Sequence, residues 1–194
     1  MTDPAFRVLH VCTGNICRSP MAEHLMRAGL EQRLGAGAAS FAVASAGTWG
    51  QDGAPMEPFA LSTLATYAID GSAFRARELL AEHVATADLV LCATREHRAA
   101  AVVLQPRAAG HTFTLREFDR LLSVVDPAAL PGGDRVARAR AVVAAAAAQR
   151  GLVRPEHPED DDLADPYRAP ETAFAACARL VHTSLQRPLD LLAG

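Results

Sequence analysis

The sequence predicts an α/β fold: one domain with a doubly wound parallel sheet of about four strands flanked by helices. Three observations predict it. Apolar, β-rich runs alternate with segments of helical spacing, the pattern of right-handed βαβ crossovers. The first such run passes through a short glycine-containing loop directly into a helix. The chain of 194 residues, 50% of them hydrophobic, is long enough for one well-formed core and suits a single domain.

The elements follow in order. Residues 6–12, FRVLHVC, form an apolar run broken by Thr13-Gly14-Asn15, a strand entering a tight loop. Ser19 can cap a helix, Pro20 suits its first position, and Ala22, Leu25, Met26 and Gly29 fall at helical spacing behind them. A strand is expected at 41–45, a helix around 57–67, a strand at 88–93, a helix from 94 to about 104 and a strand near 111–115. The alanine-rich stretch 139–148 and the segment 170–192 predict two further helices. Prolines, a Gly-Gly pair and the acidic run 159–162 predict surface loops at 123–134 and 151–165. The region 123–159 is read as containing an insertion into a smaller fold, so that residues 1–194 make one domain.

Composition narrows the function. A formal net charge of −3 gives no general attraction for nucleic acid or an anionic membrane, so any anion must be met by a local site. Residues 1–7 carry no basic segment followed by a long apolar run, and no stretch approaches the roughly 20 apolar residues of a membrane span. The expected location is the cytoplasm, with no membrane insertion. Four cysteines, at 12, 17, 92 and 177, are too few and too uneven for a disulfide framework. Neither they nor the seven scattered histidines show metal-site spacing, and no cofactor is expected.

The loop carries the chemistry. Cys12-Thr13-Gly14-Asn15-Ile16-Cys17-Arg18-Ser19 sets a thiol at a strand end, then a loop, an arginine and a helix start. Backbone N–H groups of such a loop converge on an anion, and the helix dipole adds favourable potential at the same spot. Residues 13–19 are therefore the expected phosphate-binding loop. The same field stabilises a thiolate, which makes Cys12 the candidate nucleophile. The planar fork of Arg18 matches two phosphate oxygens. Gly14 and Asn15 permit unusual torsions, and Ser19 can donate to the thiolate.

The stretch 12–23, CTGNICRSPMAE, resembles the signature of the low-molecular-weight protein tyrosine phosphatases. The resemblance continues through Ala87-Asp88-Leu89-Val90-Leu91 and Arg95-Glu96-His97-Arg98, and returns at 162–167. It implies hydrolysis of phosphotyrosine and small aryl phosphates through a cysteinyl phosphate. Because a phenolate leaves poorly without a proton, an acid is required, and Asp165-Pro166-Tyr167 resembles the family's Asp-Pro-aromatic segment. Asp165 is the expected acid and later base. Trp49 and Tyr167 are expected to wall the substrate cleft, Ser45 to support Asn15, and Cys17 to pair with Cys12 on oxidation. The implied partner is a phosphotyrosine protein, such as a bacterial tyrosine kinase or signalling protein. Three departures from the family pattern stand out: Phe74 where a histidine often supports the loop asparagine, Cys92-Ala93-Thr94 at the end of a strand, and Arg168 after the aromatic residue. Cys92 and Cys177 are expected in the core. The competing readings are arsenate reduction on the same fold, which needs a relay of further thiols, and a catalytically inactive module that binds phosphate or a phosphopeptide.

Overall fold

A computed structural model describes residues 6–194; the N-terminal residues read above for a leader lie mostly outside them. Four strands, β1 (Phe6–Cys12), β2 (Phe41–Gly47), β3 (Leu89–Cys92) and β4 (Thr112–Thr114), form one sheet of order β2-β1-β3-β4. All three pairings are parallel. Seven α-helices intervene or follow: α1 (Arg18–Leu34), α2 (Pro58–Ala65), α3 (Ala81–Thr86), α4 (Arg95–Leu104), α5 (Leu115–Leu122), α6 (Arg135–Ala148) and α7 (Glu171–Ala193).

Alternation along the central strands fills two layers, as the period of 2 requires. Phe6, Val8 and Cys12 of β1, with Leu89 and Leu91 of β3, face a large core shared with α1, α2, α5, α6 and α7. Leu9, Val11, Val90 and Cys92 face a smaller one closed by Val84 of α3 and Ala101 of α4. The predicted doubly wound sheet is present, with most of its helical mass on one face.

The strand order positions the site. From β1 the chain steps to one side to make β2, then crosses to the other side for β3. The loops leaving β1 and β3 therefore diverge, and folds of this kind bind ligands in the crevice beyond the carboxyl ends of the strands at such a point. Cys12 ends β1 there.

Several boundaries differ from the sequence reading. Helix α1 begins at Arg18, with Cys17 in the capping position and no side-chain cap. Ser19 lies inside the first turn, where its hydroxyl meets Cys12 and Asn15. Strand β2 runs on to Gly47 because that residue pairs with Cys12 and bridges to Glu78. Thr94 caps α4 by accepting from the His97 amide. Helix α5 had no counterpart in the sequence reading, although Thr114 and Glu117 form the reciprocal capping box that starts it.

The region 123–159 includes α6, which buries Ala139, Val142, Val143 and Ala146 in the main core. The acidic run is only partly solvated, with Glu159 exposed and Asp161 turned inward. Asp161 is buried and takes both Nε and Nη2 of Arg120 at 3.0 and 2.7 Å. Asp162 pairs with Arg95 at 2.9 Å, and its carbonyl accepts from Arg116. These arginines fasten the segment leading to residue 165 onto α4 and α5.

Candidate active site

The loop after β1 is held from outside by its carbonyls. Thr48 N donates to Cys12 O at 2.9 Å, Trp49 N to Thr13 O at 3.0 Å, Gln51 N to Gly14 O at 3.1 Å and Glu57 N to Ile16 O at 3.0 Å. With these carbonyls engaged, the loop is left with its N–H groups to offer an anion. Gly47 lies directly beneath it: a Cβ there would sit 2.3 Å from Thr13 O and 2.9 Å from Asn15 N. Only glycine allows that approach.

Asn15 anchors the loop. It is fully buried, with φ of 56° in the left-handed region that asparagine tolerates. Its Nδ2 donates to Ser19 Oγ and Ser45 Oγ, both at 2.8 Å, and its Oδ1 accepts from Arg77 N at 2.9 Å. Ser45 passes its own hydrogen to Glu23 Oε2 at 2.5 Å, and Glu23 pairs with Arg27 at 2.6 Å. Since Ser19 accepts from Asn15, its hydrogen is available to Cys12 Sγ at 2.9 Å. Phe74, at the position where the family often has a supporting histidine, packs edge-on against His24; Ser45 and the Arg77 amide hold Asn15 instead.

Arg18, 4% exposed, bridges the loop to a segment far along the chain. Its Nη2 donates to Asp165 Oδ2 at 2.6 Å, across 147 residues, and to Thr13 Oγ1 at 3.2 Å. Its Nη1 donates to Leu163 O at 3.2 Å, while Nε is buried with no partner among the described residues. Asp165 Oδ1 accepts from Tyr167 N at 3.2 Å.

Cys12, Thr13, Gly14, Ile16, Cys17, Arg18, Asp165, Trp49 and Tyr167 line one cleft of about 250 Å³, joined by Gln51. Trp49 is 80% exposed and Tyr167 45%, so they form its rim. Arg168, also at positive φ, lies over the Tyr167 ring. Asn15, Ser19 and Ser45 sit behind the cleft as buried supports.

The other thiols differ in setting. Burial pushes the Cys17 thiol up, reinforced by the charges of Cys12, Glu57 and Asp165. Burial also raises Cys92, and pushes Cys177 up to about 12. All four cysteines are free. Among the described residues no cluster of three or more His, Cys, Asp or Glu could hold a metal ion.

Sequence reasoning missed Glu23, Arg77 and His97. Glu23 and Arg27 carry a signal in their i, i+4 spacing, and His97 lies in the family-like 95–98 segment; nothing local ties Arg77 to Asn15 or His97 to Thr13, which lie 62 and 84 residues away.

Residues 7–150 match the family model described as low molecular weight phosphotyrosine protein phosphatase. The chain belongs to that family. Among its relatives, a probable low molecular weight protein-tyrosine-phosphatase EpsP of Ralstonia nicotianae is 35% identical over 62% of this chain and 77% of its own. A protein-arginine-phosphatase of Geobacillus stearothermophilus is 38% identical over 58% of this chain and 71% of its own. The solved low molecular weight protein tyrosine phosphatase from T. tengcongensis superposes with a TM-score of 0.68 at 29% identity, covering 95% of this chain and 98% of that one. Membership in the phosphatase family accounts for the thiol, arginine and glycine loop at one strand end.

Proposed function

We propose that the protein hydrolyses phosphotyrosine in protein substrates, and small aryl phosphates, through a cysteinyl phosphate. The observation that carries this reading is the convergence of Cys12, Arg18 and Asp165 in one cleft across 147 residues of chain. Mere binding of phosphate requires no carboxylate beside the clamp.

In the proposed mechanism the phosphate dianion takes the guanidinium fork of Arg18, including the unpartnered Nε, and frees Asp165 from it. The loop amides of residues 13–19 hold the equatorial oxygens. Cys12 attacks phosphorus in line, with Ser19 hydrogen-bonded to the sulfur. Asp165 gives its proton to the departing phenolate, then takes one from the water that hydrolyses the cysteinyl phosphate. Trp49, Tyr167 and the apolar side chain of Ile16 suit a flat aromatic ring, and Arg168 at the rim suits acidic residues beside it. Cys17 is proposed to capture oxidised Cys12 as a disulfide. The substrate class is a tyrosine-phosphorylated protein, such as a bacterial kinase or signalling protein, in the cytoplasm. No helix among the described residues is long and apolar enough to cross a membrane. The full burial of Cys92 in the sheet and the burial of Cys177 in α7 disfavour a thiol relay of the arsenate-reducing kind.

The test is turnover of a small aryl phosphate by wild type, Cys12→Ser and Asp165→Asn, with phosphoarginine and arsenate offered to the same preparations. Aryl phosphate turnover abolished by the first substitution and reduced about a hundredfold by the second supports the reading. Turnover of phosphoarginine or arsenate alone would overturn it.

A further inference from the structure

We infer that His97 is a positioning residue for the phosphate clamp, acting through the Thr13 hydroxyl; the inference rests on the proposed role of Arg18. His97 occupies the first turn of α4 with its ring buried, 7% exposed. Its Nδ1 lies 2.6 Å from Thr94 Oγ1 and its Nε2 2.9 Å from Thr13 Oγ1. This places a histidine from the β3 side of the crevice against the loop that leaves β1.

The hydrogens can be assigned in order. Thr94 Oγ1, as the cap of α4, accepts from the His97 amide and keeps its own hydrogen to give; that hydrogen is assigned to Nδ1, 2.6 Å away. The neutral imidazole then carries its hydrogen on Nε2 and donates it to Thr13 Oγ1. Thr13 Oγ1 also accepts from Arg18 Nη2 at 3.2 Å. Both acceptor positions of the hydroxyl are thereby used, and its hydrogen has to point away from His97 and Arg18. Thr13 lines the cleft, so that hydrogen becomes a donor for a phosphate oxygen held there. His97 thus fixes the direction of a hydroxyl that contacts both the clamp and the bound anion.

The surroundings of the ring favour the neutral state this needs. Burial, aided by the Arg18 charge, lowers the His97 pKa to about 4. A protonated ring would place a second cation beside Arg18; a neutral one supplies a single directed donor.

The variants follow from geometry. In His97→Asn the shorter amide stays near Thr94 and cannot reach Thr13. In His97→Gln the longer side chain brings its NH₂ close to the place of Nε2. Thr13→Val removes the hydroxyl and keeps the shape. The primary readout is the affinity for inorganic phosphate by calorimetry, with KM and kcat for a small aryl phosphate beside it and thermal melts to confirm folding. The calorimetry needs no turnover, so failure of the catalytic reading and failure of this inference are separable. His97→Asn is expected to weaken phosphate binding about three- to tenfold, the size of one directed hydrogen bond. His97→Gln should recover most of that loss, and His97→Asn should add nothing further in a Thr13→Val background. If His97→Asn melts early, the comparison of His97→Gln with Thr13→Val carries the test, the first binding phosphate more tightly than the second. Unchanged phosphate affinity in His97→Asn, an undiminished effect in the Thr13→Val background, or His97→Gln no better than His97→Asn would each overturn the inference.

Discussion

Asn15 offers the sharpest perturbation of the loop. Its side chain makes three hydrogen bonds, to Ser19, Ser45 and the Arg77 amide, from a fully buried position. Each is worth about 1 kcal/mol net, so their joint loss in Asn15→Gly is expected to cost about 3 kcal/mol. Glycine keeps the backbone free to hold φ of 56°. Alanine does not, and Asn15→Ala is expected to cost about 1 kcal/mol more. If these bonds hold the loop in its anion-binding shape, much of that energy reappears in catalysis, where 3 kcal/mol corresponds to roughly a hundredfold. The assay is urea denaturation of both variants alongside kcat/KM for a small aryl phosphate. The expected order is wild type, glycine variant, alanine variant in both measurements. A glycine variant that loses under about 1 kcal/mol and keeps full kcat/KM would refute the claim that this network shapes the loop.

Four further expectations are open to measurement. Gly47→Ala puts a methyl group 2.3 Å from Thr13 O and 2.9 Å from Asn15 N, both backbone atoms; a fall of about a hundredfold in kcat/KM with an intact fold is expected, and activity within threefold of wild type would contradict it. Asp161→Asn breaks the two-pronged pair with Arg120 at a cost of about 2 kcal/mol, or roughly 6 °C in a thermal melt; an unchanged melt argues against the fastening role. Burial lowers His10 from 6.5 to about 3, with Arg27 assisting, and lowers His97 to about 4. Below pH 6.5 the unfolded chain binds these protons and the folded one does not, so stability falls with pH; each histidine takes away about 2 kcal/mol between pH 7 and 5, and equal urea midpoints at the two values would count against it. Peroxide converts the Cys12 thiolate to a sulfenic acid, which the Cys17 thiol attacks with loss of water; dithiothreitol should then restore wild type far better than Cys17→Ser, and equal recovery would remove Cys17 from that role.

How much of this was legible depends on how local each feature is. Strand β1, the loop and α1 could be read because residues 6–34 carry their own pattern, a β-rich run, a glycine turn and helical spacing. Ser19 before Pro20 looks like a cap in any sequence; its bond to Cys12 follows from the loop chemistry, and the fold adds its acceptance from Asn15. Helix α5 was missed because Leu115 reads as the end of the strand; the Thr114–Glu117 box and the helical spacing of Leu115, Phe118, Leu121 and Leu122 were its local signals. Asp165 was found by family resemblance, since nothing in residues 159–165 tells which aspartate turns inward. Asp161, Asp162 and Asp165 each take a different arginine, an outcome set by tertiary packing.

The long separation between Arg18 and its carboxylate partner also orders events during synthesis. At roughly ten residues per second, the 147 residues between them take on the order of ten seconds to emerge from the ribosome. During that interval a nascent chain can hold the thiol and the arginine but not the proposed proton donor. Until then Leu163 and the arginine-fastened acidic run have not arrived either. Full-rate hydrolysis of aryl phosphate would therefore appear only after residue 165 has emerged, and could serve as a clock for co-translational folding.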